Sequence, residues 1–411
     1  MSRRWLIFTF STSLFFISQF YRVSNAVIAP LLIQDLSLDT EGLGLISASF
    51  FYAFALTQIP ITLLLDKVGP RILMTTLSTI GILGAFVFSQ ADSLMMGVTG
   101  RVLLGAGMAC NLMGTFKLLT LWFSPRQFAT LMGVVMAIGT VGNMVATTPL
   151  VILVDNIGWR AGFQLIAAIN LLLILTFWFI VCDPPADSPG SPGTGASLSL
   201  NDVFANIQLL LRRKDYWIIS FSTLVRYGVF AAFQALWAGP YLMEVMGYSA
   251  IATGNLILLL NVGMILGSPC WGALSDRLLK TRKWIVIAGL ISIALTIIVL
   301  MSIPDSIHLA VLIVIFFSFG FFNASGLLMY PHIKEMMAPE MAGVAMTGIN
   351  FFNMIGPAVF LQGLGSLMQA AYPEASRGSE AFNAAFIVCI VGLAAAATVY
   401  LFTRERRLLP D

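Results

Sequence analysis

Apolar runs of about 20 residues recur along the whole chain, and they constrain the fold more than any other feature. About 20 helical residues cross the ~30 Å hydrocarbon core of a bilayer, so each run predicts a membrane-spanning helix. Only 10% of the residues are charged, whereas a soluble domain carries roughly 25%. The sequence therefore predicts an all-α membrane protein with twelve spans, at 5–33, 43–65, 72–90, 94–120, 128–153, 160–181, 216–244, 251–274, 284–302, 308–334, 340–369 and 381–402.

A Pro-, Gly- and Ser-rich stretch between the sixth and seventh runs predicts a division into two halves. We expect a six-helix bundle at 1–182, a cytoplasmic linker with a short amphipathic helix at 183–214, and a second six-helix bundle at 215–411. An unstructured basic loop is the alternative for the linker. The halves form a repeat, since at an offset of 210 residues Pro30 falls on Pro240 and Asp66 on Asp276. Many carriers built from such repeats bind their solute between the two halves.

Basic residues lie almost entirely on one side of the predicted spans. With a cytoplasmic N-terminus, sixteen of the 22 Lys and Arg residues fall in inner loops and tails, and only Arg160 and Arg377 fall in outer loops. Cytoplasmic loops carry this excess of Lys and Arg. We therefore expect a multi-pass protein of the lipid bilayer, in a bacterial inner membrane, with both termini in the cytoplasm.

The sequence lacks the patterns of several other function classes. It contains no Walker A sequence, no catalytic-triad pattern and no Cys or His spacing of a metal site, so we expect no enzyme activity, cofactor or metal. The net charge of +3 is too small and too dispersed for nucleic-acid binding. The tails and linker are short for a membrane sensor with an appended domain, and we expect a monomeric transporter.

Four segments resemble signatures of the major facilitator superfamily. The sequences LLDKVGPR at 64–71 and GALSDR at 272–277 resemble its GxLxDRxGxR loop signature, with Thr62 in place of the first glycine. RVLLGAG at 101–107 is similar to its RxxxGxG element in span four, and GWR at 158–160 with Phe163 resembles its GWRxxF turn. The resemblance implies two six-helix bundles that transport a solute by alternating access.

The resemblance also implies a cytoplasmic latch between the halves. A carboxylate near a helix N-terminus is stabilised by ~0.3–1 kcal/mol, so such contacts can bias which side is open. The alternative for the loop residues is that their charges only set the orientation of the protein in the membrane. For Arg101, in span four, we favour a structural hydrogen-bonding role, with a part in a coupling network as the alternative. The positions concerned are Asp66, Lys67, Arg71, Asp276, Arg277 and, in span four, Arg101.

Two arginines lie near the middle of predicted spans. Arg22 is in the first span, and Arg226 follows Tyr216, at the start of the seventh, by ten residues or about 15 Å of helix. An ionisable group at this depth costs at least ~2.5–3.5 kcal/mol and normally faces a polar substrate path. The planar guanidinium fork suits carboxylate and phosphate oxygens. We therefore expect both arginines to bind a small anionic substrate.

Polar residues of the same and neighbouring spans are the other candidates for substrate binding. Tyr21-Arg22 with Asn25, and Arg226-Tyr227-Gly228, resemble the arginine elements of the organophosphate:phosphate antiporters, and anion:cation symporters also use cavity arginines. That resemblance implies a phosphate ester or a carboxylate as substrate. The remaining candidate substrate-binding residues are Gln19, Asn25, Tyr227, Gln234, Asn323 and Asn353.

None of the 19 Asp and Glu residues falls clearly at mid-membrane. Proton-coupled carriers and exporters of cationic drugs usually need such a group at depth, so both are disfavoured. His332 and Glu335, near the inner end of span ten, are the candidates for proton handling, with interfacial hydrogen bonding as the alternative for His332. We expect a secondary carrier of a small organic anion coupled to a proton, sodium or a counter-anion. A multidrug or other amphiphile exporter and a dipeptide carrier are the alternatives.

Overall fold

The computed structural model describes residues 3–181, 208–303, 308–337 and 339–405, apart from the side chains of residues 62, 63, 66, 125, 126, 129, 339, 340, 342 and 343. The chain divides into two compact units, Met1–Ser197 and Leu198–Asp411. Within the described ranges the regular structure is helical throughout, as the apolar runs predict.

The described residues of the first unit form eight helices in six passes, because the first and fourth passes are each built from two helices. α1 and α2 together make the first pass, and α5 and α6 together make the fourth. The bounds are α1 Arg3–Val23, α2 Asn25–Leu36, α3 Thr40–Val68, α4 Pro70–Ser89, α5 Leu94–Met108, α6 Asn111–Trp122, α7 Pro125–Val145 and α8 Thr148–Ile180.

The second unit repeats the six passes with a different set of interruptions. Its first pass is α9, Lys214–Ala232, continued by a π turn, α10 and a second π turn at Phe233–Trp237, Ala238–Pro240 and Tyr241–Val245. A 3-10 turn at Ala324–Leu328 joins α13 to α14 in its fourth pass. The other bounds are α11 Ala250–Ala273, α12 Lys283–Ser302, α13 Leu309–Asn323, α14 Met329–Met336, α15 Pro339–Ala371 and α16 Ser379–Tyr400.

Eleven helical stretches of the described chain are long and apolar enough to cross a membrane, against twelve predicted spans. The difference lies at the fifth predicted span, 128–153, which is split between α7 and the start of α8. α8 is interrupted at Gly158, whose φ of 78° lies in a region that disfavours a side chain, and the chain kinks there. All twelve predicted segments are therefore helical, and the kink at Gly158 separates the fifth from the sixth.

The breaks in the first and fourth passes are closed by side chains of the opposite pass. A broken helix leaves carbonyls without their usual amide donors, and inside a membrane these need other partners. Arg101 Nη1 donates to the Tyr21 carbonyl at 2.9 Å, just before the break at Ser24. Ser18 Oγ donates to the Met108 carbonyl at 3.2 Å, at the end of α5. These bonds tie the two interrupted passes together within the first unit.

Each unit carries an ion pair at the end that the sequence predicts to be extracellular. In the first unit Asp35 accepts from Trp159 Nε1 at 2.8 Å and pairs with Arg160. The Trp159 hydrogen bond lowers the pKa of the Asp35 carboxyl below its ordinary value; Arg160 acts in the same direction and burial opposes both. In the second unit Arg377 Nε lies 3.3 Å from Glu244 Oε2. The sequence does not predict these pairs, because each joins residues more than 120 positions apart.

The predicted amphipathic linker helix falls mostly within residues 182–207, which lie outside the described ranges. Its existence, the boundaries of the two bundles and the cytoplasmic location of the termini stay predictions.

Candidate functional site

Arg22 lies at the end of α1, two residues before the break at Ser24. Its side chain is buried, with 8% exposure, and its guanidinium carbon is 4.9 Å from the centre of the Phe54 ring on α3. A guanidinium on an aromatic face is attracted by the ring quadrupole, the more so away from water. The first unit thus holds a desolvated cation beside a helix break.

The polar residues predicted beside Arg22 contact different helices. Asn25 Nδ2 donates to Ser47 Oγ on α3 at 2.9 Å. Gln19 lies where α7 approaches α1, since a Cβ placed on Gly142 would be 3.3 Å from the Gln19 Cβ. Both candidates are buried in the same unit as Arg22.

Arg226, on α9, has the most completely described partners of the candidate site. Its side chain is 2% exposed. Nη1 donates to both the backbone carbonyl and Oδ1 of Asn323, at 3.0 and 2.9 Å, and Nη2 donates to Asn353 Oδ1 at 3.2 Å. The structure therefore brings together three of the predicted substrate-binding residues, one from each of three passes.

The acceptor oxygens of Asn323 and Asn353 form a cradle for Arg226. The local folding of the fourth pass creates this cradle. α13 ends at Asn323 and passes into the 3-10 turn, so the α-helical bonding pattern is interrupted where its carbonyl accepts from Arg226. Gly326, in that turn, leaves the space the guanidinium fills, because a Cβ there would overlap Cδ, Nε and Cζ of Arg226. The sequence does not single out Gly326, since a glycine in an apolar run has no distinguishing signal.

Every hydrogen-bond acceptor described for Arg226 is a neutral amide or carbonyl oxygen. Among the described residues no Asp or Glu is buried in either unit. The positive charge of Arg226 is thus oriented by the protein without being balanced by a carboxylate in contact with it. A buried cation in this state attracts an anion strongly.

The other two predicted residues of this unit have their own partners. The Tyr227 ring lies 5.6 Å from the guanidinium carbon of Arg226 and stacks on Phe230. Gln234 Nε2 donates to Asn261 Oδ1 on α11 at 2.8 Å. Tyr227 therefore borders the Arg226 cradle, whereas Gln234 joins the first two passes of the unit.

Residues 9–361 match the family model of the Major Facilitator Superfamily. The chain belongs to this superfamily. A Major Facilitator Superfamily protein is a multi-pass membrane transporter and not an enzyme, and the helical fold and apolar spans agree with that membership. In the described chain no group of three or more His, Cys, Asp or Glu residues is arranged to hold a metal ion.

Several transporters resemble the chain over most of its length. The probable sulfoacetate transporter SauU of Cupriavidus necator is 24% identical over 368 residues, covering 84% of each protein. A probable hexose phosphate transport protein of Chlamydia muridarum is 24% identical over 64% of this chain and 62% of its own length. In fold, a bacterial homologue of the human lysosomal transporter Spinster, inward-facing and occupied, superposes with a TM-score of 0.75 at 19% identity, covering 98% of this chain and 97% of that one.

The superfamily loop signature of the first unit contacts the end of that unit's last helix. Arg71 donates from Nε and Nη2 to the Trp178 carbonyl, at 3.3 and 2.9 Å, and its guanidinium carbon lies 4.1 Å from the Trp178 ring centre. A cation near a helix C-terminus is favourable. Lys67 is exposed, and the Asp66 side chain lies outside the described atoms.

In the second unit the corresponding signature forms an ion-pair network. Arg282 pairs with Asp276 and, at 3.2 Å, with Glu335, while its Nη1 also donates to Ser275 Oγ at 2.8 Å. Arg277 is exposed. The hub of the network is Arg282, which in the sequence is one loop cation among several. A latch between the two units stays a proposal for all these residues.

His332 and Glu335 lie one turn apart on α14 but bond to different elements. The His332 ring nitrogens contact the Tyr400 hydroxyl at 2.7 Å and the Arg404 carbonyl at 3.2 Å. Because a carbonyl only accepts, Nε2 carries the proton and Nδ1 accepts from the tyrosine in the neutral ring. His332 thereby links α14 to the end of α16 and to the residues that follow it.

Proposed function

We propose that this superfamily member is a secondary carrier of a small organic anion, a carboxylate, a sulfonate or a phosphate ester, moved by alternating access. One observation carries the proposal. Arg226 is buried in a predicted membrane span and held by two asparagines, and its acceptors among the described residues are all neutral. A substrate anion supplies the charge this arrangement lacks.

Arg22 supports the same conclusion from the other unit. It is also a buried guanidinium in a membrane span, resting on an aromatic ring. Two cations, one in each half, suit a solute with negative charge, and their planar forks suit the oxygens of carboxylate, sulfonate or phosphate groups. The names of the two relatives point the same way, since sulfoacetate and hexose phosphates are both anions.

The candidate exporter of amphiphilic cations receives less support. Such a carrier binds its substrate through a carboxylate at depth, and none of the described acidic residues is buried. We infer that the anion moves together with, or in exchange for, a proton, sodium or a second anion.

A thermal-stabilisation screen of the purified protein tests the proposal. Its panel contains phosphate esters, mono- and dicarboxylates, sulfonates, dipeptides and hydrophobic cations. We expect concentration-dependent stabilisation by one class of organic anions, because a ligand that binds only the folded state raises its stability. Stabilisation by hydrophobic cations, with no response to any anion, would contradict it.

A further inference from the structure

In the first unit, four buried amide oxygens accept no hydrogen bond from any described residue, those of Gln19, Asn25, Asn143 and Asn170. Two of them, Gln19 Oε1 on α1 and Asn143 Oδ1 on α7, belong to helices that pack on each other. Both side chains are more than nine-tenths buried, with 8% and 6% exposure. A buried acceptor without a donor is costly, and in native proteins it calls for a specific partner.

The packing of α7 on α1 brings these two residues to the same level. Gly142 lies against the first helix, since a Cβ there would overlap the Phe16 carbonyl and approach the Gln19 Cβ to 3.3 Å. Asn143 is the next residue of α7. Arg22 follows Gln19 by three residues on α1, which is about 4.5 Å along the helix axis. Gln19 therefore lies about one turn from one of the two proposed anion-binding arginines, and Asn143 adjoins the contact of α7 with α1 at Gln19.

The acceptors call for a donor, and the charges around them indicate which kind. An ammonium group is disfavoured, because no described Asp or Glu residue is buried in this unit to balance it. A hydroxyl group is a neutral donor, so it satisfies an amide oxygen without adding positive charge next to Arg22. Gln19, Asn143 and Arg22 together therefore suit a molecule with an anionic group and hydroxyl groups on its carbon skeleton.

We propose that Gln19 and Asn143 form a hydroxyl-recognising subsite, which restricts the carrier to hydroxylated organic anions such as hydroxy acids, sugar acids or polyol phosphates. The inference rests on the proposed anion transport and adds a specificity to it. It also separates this chain from the probable sulfoacetate transporter SauU, because sulfoacetate carries no hydroxyl group.

The test uses pairs of anions that differ in their hydroxyl groups. The pairs are tartrate and succinate, glycerol 3-phosphate and propyl phosphate, and glucuronate and cyclohexanecarboxylate, with sulfoacetate as a further hydroxyl-free probe. Affinities for the full-length protein in nanodiscs are measured by calorimetry. We expect at least one hydroxylated member to bind about tenfold or more tightly than its partner, since leaving a site's polar groups unpaired discriminates strongly.

Gln19→Met and Asn143→Leu remove the acceptors and keep side-chain size. Each is expected to bring the affinity ratio of the recognised pair close to one, because the hydroxylated member loses its acceptor. Asn143→Gln, which keeps an acceptor, is expected to retain part of the preference. Asn170→Leu is the matched control, because Asn170 is a fully buried amide on α8 of the same unit whose two polar atoms are also unpartnered among the described residues.

The variants are expected to fold, because the removed oxygens take no described hydrogen bond with them. Their melting temperatures without ligand are measured first and are expected to equal or exceed that of the wild type. A wild type that prefers the hydroxyl-free anions, or a preference unchanged in both variants, would overturn the subsite and leave anion transport standing. A wild type that binds none of the seven anions would overturn the anion proposal itself.

Discussion

Gly326→Ala is a small change with a large expected effect on the Arg226 cradle. Gly326 has an ordinary backbone conformation, since positive φ is confined among described glycines to Gly69, Gly158 and Gly247. The added methyl group is therefore acceptable to the backbone. It would overlap Cδ, Nε and Cζ of Arg226, so the guanidinium must move.

The expected magnitude follows from what Arg226 would give up. It donates three hydrogen bonds to Asn323 and Asn353, and hydrogen bonds to charged groups contribute about 1.5–3 kcal/mol each. Partial displacement that breaks one of them, with overpacking of about 1–3 kcal/mol, gives a loss of roughly 2.5–6 kcal/mol in folding stability. A displaced guanidinium should also lower anion affinity by about tenfold to a hundredfold, at 1.4 kcal/mol per factor of ten.

The assay compares the variant with Gly363→Ala in thermal stability and anion affinity. Gly363 lies inside α15 and an added Cβ would meet nothing within 4 Å, so this control should be neutral or stabilising by up to about 1 kcal/mol. Wild-type stability and affinity in Gly326→Ala would show that Arg226 is not held against the turn. Lost stability with unchanged affinity would remove Arg226 from the binding site.

Three further predictions concern residues outside the proposed binding site. Arg101→Met should lower folding stability by about 1.5–3 kcal/mol, since its charged hydrogen bond to Tyr21 is lost; an unchanged melting temperature would refute this bracing role. Asp35→Asn should destabilise by less than about 1 kcal/mol at pH 7, because the pair is partly exposed. Because the folded pKa of Asp35 is lowered, this difference should shrink as pH falls below about 4, and a pH-independent difference would contradict the ionic contribution. His332→Asn should lower the melting temperature and leave the pH dependence of transport unchanged, whereas a lost pH dependence would favour proton handling.

The fold is largely predictable from the sequence because membrane insertion constrains composition. Each apolar run forms a helix, and the loop signatures and the span-four arginine are typical of the superfamily. The interruption at Ser24 is not predictable, since the only proline of that pass, Pro30, lies within α2 and breaks nothing. Helix breaks of this kind depend on partners such as Arg101, which bonds to a backbone carbonyl and leaves no sequence signature.

The candidate site likewise contains residues that the sequence predicts and residues that it does not. Asn323 and Asn353 are predictable, because polar side chains are rare enough in membrane spans to stand out, and the structure places both on Arg226. Gly326 does not stand out, because its importance comes from the space that it leaves for Arg226. A sequence shows which residues are unusual in a span, whereas tertiary packing decides which acceptors stay unpaired.

The most direct test of the central claim is the affinity for the stabilising anion in Arg22→Lys and Arg226→Lys. Lysine keeps the charge but loses the planar fork, so each variant should bind the anion at least about tenfold more weakly. Arg160→Lys, at the predicted extracellular end, is the matched control and should keep wild-type affinity. Unchanged affinity in both Arg22→Lys and Arg226→Lys would contradict the assignment of these arginines as the anion-binding residues.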